Sequence, residues 1–190
     1  TRRQSAARPA GRAKIDRQTV TGPKTFMIRA LCAALLAASA IGAAAAEVRR
    51  GPVTNLPIPR FVSMKASEGN VRRGPSLTHK IDWVFKRRDM PLRIVAEHGH
   101  WRRVQDRDGA GGWIHYALLS GVRTVIVEQD MLKLRNRPEA TAPQVAILEL
   151  GVIARLGECR PEWCRVSAGG YRGWAPKSSL WGVGPEELRD

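Results

Sequence analysis

The sequence predicts an all-β protein in which one small barrel or sandwich occurs twice. Two observations carry this. The first is an internal repeat. Val71-Arg72-Arg73-Gly74-Pro75 returns as Leu134-Arg135-Asn136-Arg137-Pro138, and Trp101-Arg102-Arg103-Val104 returns as Trp163-Cys164-Arg165-Val166. Gly112-Trp113-Ile114 returns as Gly173-Trp174-Ala175, and Leu119 as Leu180. The order is kept and the offset stays between 61 and 63 residues, so a unit of about 60 residues is duplicated. The second observation is a series of short segments with period-two alternation, evenly punctuated by turn residues, which fits a small closed β fold and not a βαβ fold.

Taken in order, residues 47–59 hold Pro52, Pro57, Pro59 and Gly51, and read as a partly extended linker. Strands are expected at 61–64, at 82–86 with Trp83 and Phe85 in period two, and at 92–96, where Leu92, Ile94 and Ala96 form the apolar set. Trp101 and Val104 mark a fourth strand and residues 113–115 a fifth. The turns between them are Arg73-Gly74-Pro75, Glu97-His98-Gly99 and Asp108-Gly109-Ala110-Gly111. Residues 116–119 read as one 3₁₀ turn. Residues 123–127 bridge the copies, either completing the first or opening the second. In the second copy, Leu132 and Leu134 alternate, 145–148 and 152–156 follow, and 163–166 pairs with 171–174 across Ser167-Ala168-Gly169-Gly170. Residues 178–180 close it, and 184–190 are a polar tail. The apolar Val122, Val125, Ile126 and Val127 are the expected contact between the copies.

The 190 residues carry a formal net charge of +15, from 32 basic and 17 acidic residues. Eight of the basic residues and one acid precede position 47, so the remainder carries about +8, interspersed. That surplus does not call for nucleic acid as a partner. Met27-Ile28-Arg29, the apolar run 30–41 and Ala44-Ala45-Ala46 have the layout of a secretory signal helix cleaved after Ala46. The run is too short for a bilayer span, which takes about 20 residues, so no membrane span is expected after cleavage. Residues 1–26 are polar and basic, and read as a disordered extension or as a stretch upstream of a true start at Met27. Export to the periplasm or beyond places Cys159 and Cys164 in an oxidising compartment. They bracket Arg160-Pro161-Glu162-Trp163, a strand turn across which a structural disulfide is expected.

In Asn70-Val71-Arg72-Arg73-Gly74-Pro75-Ser76, Trp101-Arg102-Arg103-Val104 and Gly112-Trp113-Ile114-His115, the chain resembles the bacterial SH3-like domain family. The resemblance covers about residues 60–181 in two copies. The second is looser: Asn136-Arg137 replaces Arg73-Gly74, and Ala175 stands where a β-branched residue is usual. The resemblance implies two tandem SH3-like barrels after the signal helix, 60–121 and 122–183, each of five to six strands. Within that family it resembles exported tandem SH3-like proteins of Gram-negative bacteria. It implies recognition of peptides, either peptidoglycan stem peptide or segments of envelope proteins.

Six tryptophans stand out in so short a chain. Trp101 and Trp163 recur on matched strands and are read as core. Trp83, Trp113 and Tyr116 lie at strand ends and are the candidates for an aromatic peptide trough, with Trp174 and Tyr171 as second-copy analogues. Arg72, beside a turn and repeated as Arg135, is the candidate for a ligand carboxylate. Two such troughs would give bivalent binding. His98 and His100 flank Gly99 in a turn and lack the further ligands a metal needs. There is no G-x-S-x-G, H-E-x-x-H or P-loop, and no histidine follows either Cys159 or Cys164. No enzyme activity and no cofactor are therefore expected.

Overall fold

A computed structural model of the chain describes residues 48–190. The extension, the signal helix and its cleavage site lie outside the described residues. Fourteen strands form two seven-stranded antiparallel sheets, each curled into a small barrel. The first holds β1 (Arg60–Met64), β2 (Gly69–Arg72), β3 (Ile81–Phe85), β4 (Pro91–His98), β5 (Trp101–Gln105), β6 (Gly111–His115) and β7 (Leu119–Ser120). The second holds β8 (Thr124–Val127), β9 (Leu132–Arg135), β10 (Gln144–Leu148), β11 (Ile153–Cys159), β12 (Trp163–Ala168), β13 (Tyr171–Pro176) and β14 (Leu180–Trp181). The spatial order β3-β2-β6-β5-β4-β1-β7 is reproduced as β10-β9-β13-β12-β11-β8-β14. The duplication is thus one of topology as well as sequence. Each barrel gains strands over the five or six expected, because a two-residue strand after each 3₁₀ turn pairs with the barrel's first strand.

Each barrel has its own aliphatic core. Met64, Val71, Phe85, Leu92, Ile94, Val104 and Ile114 fill the first. Val125, Val127, Leu132, Leu134, Leu156, Val166 and Ala175 lie among those filling the second. Neither Trp101 nor Trp163 is in a core. On β5 the inward set is Arg102 and Val104, and on β12 it is Cys164 and Val166, so period two turns both tryptophans outward, half-buried. A second correction has the same origin. Bulges between Ile94 and Ala96 in β4, and between Leu156 and Cys159 in β11, shift the parity of each strand. Ala96 leaves the inward set, and Glu97 and Cys159 enter it.

That shift places two different clamps at one position. Cys159 pairs with Cys164 across the β11–β12 hairpin and is disulfide-bonded to it, with Cα atoms 4.1 Å apart. The matching pair across β4–β5 is Glu97 and Arg102, whose side chains form a buried ion pair at 3.6 Å. Each clamp also receives a strap from outside its barrel. Residues 48–59 are not an extended linker but a closed turn, with a bridge between Arg50 and Pro57 and with Ile58 in the first core. Its tip is held by Glu97, which accepts from the Val53 and Thr54 amides at 3.1 and 2.9 Å and from the Thr54 hydroxyl at 2.7 Å. The C-terminal segment is docked likewise. Arg189 bridges Cys159, Glu187 pairs with Arg123 at 2.7 Å, and the buried Lys177 donates to the Pro185 and Glu187 carbonyls.

The bridging strand β8 belongs to the second sheet. Val125 and Val127 point into that core and Val122 is exposed, so the contact between barrels is narrower than the apolar run suggests. It rests on Ile126, on the Thr124 hydroxyl donating to the Asp89 carbonyl at 2.7 Å, and on the Ser63 hydroxyl donating to the Val122 carbonyl at 2.7 Å. Phe61 adds an edge-to-face contact with Trp181 at 5.3 Å between ring centroids. The described residues, 48–190, lie in one compact unit.

Candidate functional site

The outer face of β2, β6 and β5 carries two cross-strand rows. In one, Arg72, Trp113 and Arg103 lie side by side. In the other, His115 faces Trp101, and their rings meet edge-on at 5.6 Å. The close approach of β2 to β6 depends on Gly112. A Cβ there would lie 2.5 Å from the Arg72 carbonyl oxygen, so only glycine lets the strands meet in this register.

Between these rows and the loop after β2 lies a groove of about 320 Å³, lined by Arg72, Leu77, Trp101, His115, Leu118 and the segment Glu68-Gly69-Asn70. Its walls are set locally. Arg72 Nη1 donates to the Leu77 and His79 carbonyls at 3.0 and 2.7 Å and so holds the loop in place. The repeat preserves this role, since Arg135 Nη1 donates to the Ala142 carbonyl at 2.9 Å. His115 Nδ1 accepts from the Ala117 amide at 3.3 Å and caps the 3₁₀ turn Tyr116–Leu118, which brings Leu118 to the groove. His100, His115 and Tyr116 form a ring cluster with centroids 5.0 to 5.9 Å apart.

Glu97 supports this end of the barrel from within. Burial raises its pKa, but hydrogen bonds from Thr54, Arg60 and Val53 outweigh burial and lower it from 4.5 to about 2. The carboxylate is therefore charged at neutral pH. It takes Arg60 Nη2 at 2.6 Å and attracts Arg102, which lies 5.9 Å from the Tyr116 ring centroid and donates to the Gly99 and Trp101 carbonyls. Thus a buried carboxylate orients the arginine that braces both the β4–β5 turn and an exposed tyrosine.

The residues singled out from sequence divide clearly. Arg72 lines the groove, Trp113 is its cross-strand neighbour, and Tyr116 stands beside it, exposed. Trp83 is half-exposed on β3, the outermost strand of its sheet, and does not line the groove. Trp174 matches Trp113 in register but is buried, with the Arg160 guanidinium 5.0 Å from its ring centroid. Tyr171 is exposed at a hairpin end and is not the counterpart of Tyr116. That position is Lys177, and Pro176 stands where His115 does. The aromatic groove therefore belongs to the first barrel. Trp101, His115 and Leu118 join the site although the sequence pattern does not single them out for it; the signal for Trp101 is Cys164, which marks position 102 as inward and hence 101 as outward. Among the described residues, no group of three His, Cys, Asp or Glu side chains is close enough to hold a metal.

No curated protein matches the chain. Two solved structures share some of its geometry, NlpC2 and NlpC1 from Trichomonas vaginalis, at 11% and 12% identity and a TM-score of 0.31 each. Each alignment covers 64% of this chain, and 47% and 45% of the respective structures, so the chain spans less than half their length. Residues 65–121 and 128–182 each match the bacterial SH3 domain family, and together the matches cover more than half of the chain. With two such domains in tandem, each closed around its own core, the chain belongs to the bacterial SH3 domain family.

Proposed function

We propose that the chain is a non-catalytic binding module of the bacterial cell envelope that takes an extended peptide in the groove of its first barrel. The ligand is peptidoglycan stem peptide. The observation that carries this reading is the groove itself: an open trough with Trp101, His115 and Leu118 on its walls and a loop pinned by Arg72 on its rim. A peptide laid there buries apolar side chains against the rings, while Arg103, exposed beside Trp113, suits a peptide carboxylate. The envelope address is supported by the Cys159–Cys164 disulfide, which persists in oxidising compartments. Among the described residues no helix is long and apolar enough to cross a membrane.

Co-sedimentation of the fragment 47–190 with purified sacculi tests this. The wild-type fragment should pellet with sacculi, and Trp101→Ala should release it. Binding that is absent, or that Trp101→Ala leaves intact, rejects the reading. Crosslinking that returns one envelope protein, with no sacculus binding, would redirect the groove to a protein segment.

A further inference from the structure

The second barrel carries a charged groove that the first lacks. Arg155, Ser167 and Arg172 form one row across β11, β12 and β13. Arg165 stands two residues from Ser167 on β12 and therefore on the same outer face. All three arginines are exposed and, with Gly157 and Glu158, line a groove of about 250 Å³. Neighbouring strands lie about 4.8 Å apart and alternate residues about 7 Å. Flexible stems of arginine length span those gaps, so three guanidinium groups are able to converge above the Ser167 hydroxyl.

Nothing among the described residues neutralises them: none of the three has an ion-pair partner there. The acid in the groove, Glu158, is engaged by Arg160 at 3.0 Å. The bulge at Gly157 opposite Arg165 leaves the floor without a side chain. The first barrel shows the alternative. At its matching row, Arg93 donates to the Gln105 side-chain oxygen at 3.1 Å, and the third position is Gly111. In the first copy this row thus holds one arginine, bonded within the row, and a glycine; in the second it holds two exposed arginines, with Arg165, the counterpart of the exposed Arg103, beside them.

We propose that the groove formed by Arg155, Arg165, Arg172 and Ser167 binds a phosphomonoester. A phosphate dianion offers three oxygens and two charges to three guanidinium forks and a hydroxyl. A carboxylate has two oxygens and one charge, and would leave part of the triad unpaired. The phosphoryl group comes from a soluble sugar phosphate or from a lipid headgroup of the phosphatidic acid kind. This site is separate from the aromatic groove of the first barrel and does not depend on that groove's ligand.

The test titrates the ¹⁵N-labelled fragment 47–190 with inorganic phosphate, and in parallel with acetate. The same fragment is pelleted with phosphatidylcholine vesicles, with and without phosphatidic acid. Phosphate should shift the Gly157, Ser167 and Arg172 amides first. Arg172→Gln should raise the dissociation constant about tenfold or more, the worth of one charge-assisted contact. Arg137→Gln, which removes an exposed charge elsewhere on the same barrel, should leave it unchanged. Phosphate binding without vesicle binding assigns a soluble phosphomonoester. Pelleting that needs phosphatidic acid and is lost in Arg172→Gln assigns the headgroup. The proposal is overturned if shifts spread evenly over the basic residues, if both variants weaken binding alike, if acetate matches phosphate, or if neither phosphate nor vesicle binds.

Discussion

Replacing Glu97 with glutamine removes the charge that Arg60 and Arg102 share inside the first barrel. The Glu97 side chain is fully buried, and those of Arg60 and Arg102 are only 17% and 8% exposed, so solvent does little to screen the loss. A carboxyl whose pKa falls from 4.5 in the free state to about 2 on folding contributes about 3 kcal/mol to stability. Because folding lowers this pKa, the contribution is complete above pH 4.5 and fades as the pH falls toward 2. Glutamine keeps the shape but leaves two guanidinium groups without their counter-charge, a loss of the same order. Urea unfolding of wild type and Glu97→Gln, followed from neutral pH down to about 2 by hydrogen exchange at the Val104 and Ile114 amides, separates this from other acidic groups. The variant should be about 3 kcal/mol weaker at neutral pH, and the gap should close across the acid window. Two curves that stay parallel from neutral to acid would show that the carboxylate's charge does not hold the barrel together.

Three further outcomes follow from the same geometry. Converting both Cys159 and Cys164 to alanine should lower the stability of the second barrel by about 2 kcal/mol, as expected for a very short closed loop, and urea unfolding of the variant measures it; no change would mean that the Arg189 bridge suffices. Ile114→Ala, in the middle of the first core, should cost about 2–5 kcal/mol, while Trp101→Ala, on the outer face, should cost far less by thermal melting; comparable losses would return Trp101 to the core. Burial raises the Glu187 pKa, but the Arg123 guanidinium and the Gly184 amide outweigh it and hold the carboxyl below its usual value. Glu187→Gln should therefore speed hydrogen exchange at the Cys159 and Arg189 amides at neutral pH, and acid should do the same to the wild type; unchanged exchange would mean that Lys177 alone holds the strap.

Much of this was legible in the sequence. The repeat and the alternation of Val71, Val104, Leu134 and Val166 give two copies of one β module, and the spacing of Cys159 and Cys164 gives the hairpin they close. What the alternation could not reveal was its phase beyond each bulge. An arginine at position 102 reads as a surface residue, and it is inward only because Glu97, brought inside by a one-residue bulge, compensates it. An outward Arg102 agrees with the placing of Trp101 in the core by its recurrence at Trp163, and so Trp101 drops out of the trough that Trp113 and Tyr116 mark. Aligning Glu97 and Arg102 with Cys159 and Cys164 across the repeat would have corrected it. The straps were hidden for another reason. Residues 48–59 and 184–190 are polar and proline-bearing, and their order comes from partners far along the chain, Glu97 and Cys159, which no local pattern encodes.

The two hairpin clamps leave the halves of this protein vulnerable to different chemistry. A thiol reductant has a bond to cut in one half and none at the matching place in the other, while protons discharge the first clamp and leave the second covalently closed. Treated separately with each agent, the tandem should come apart one module at a time, in opposite orders.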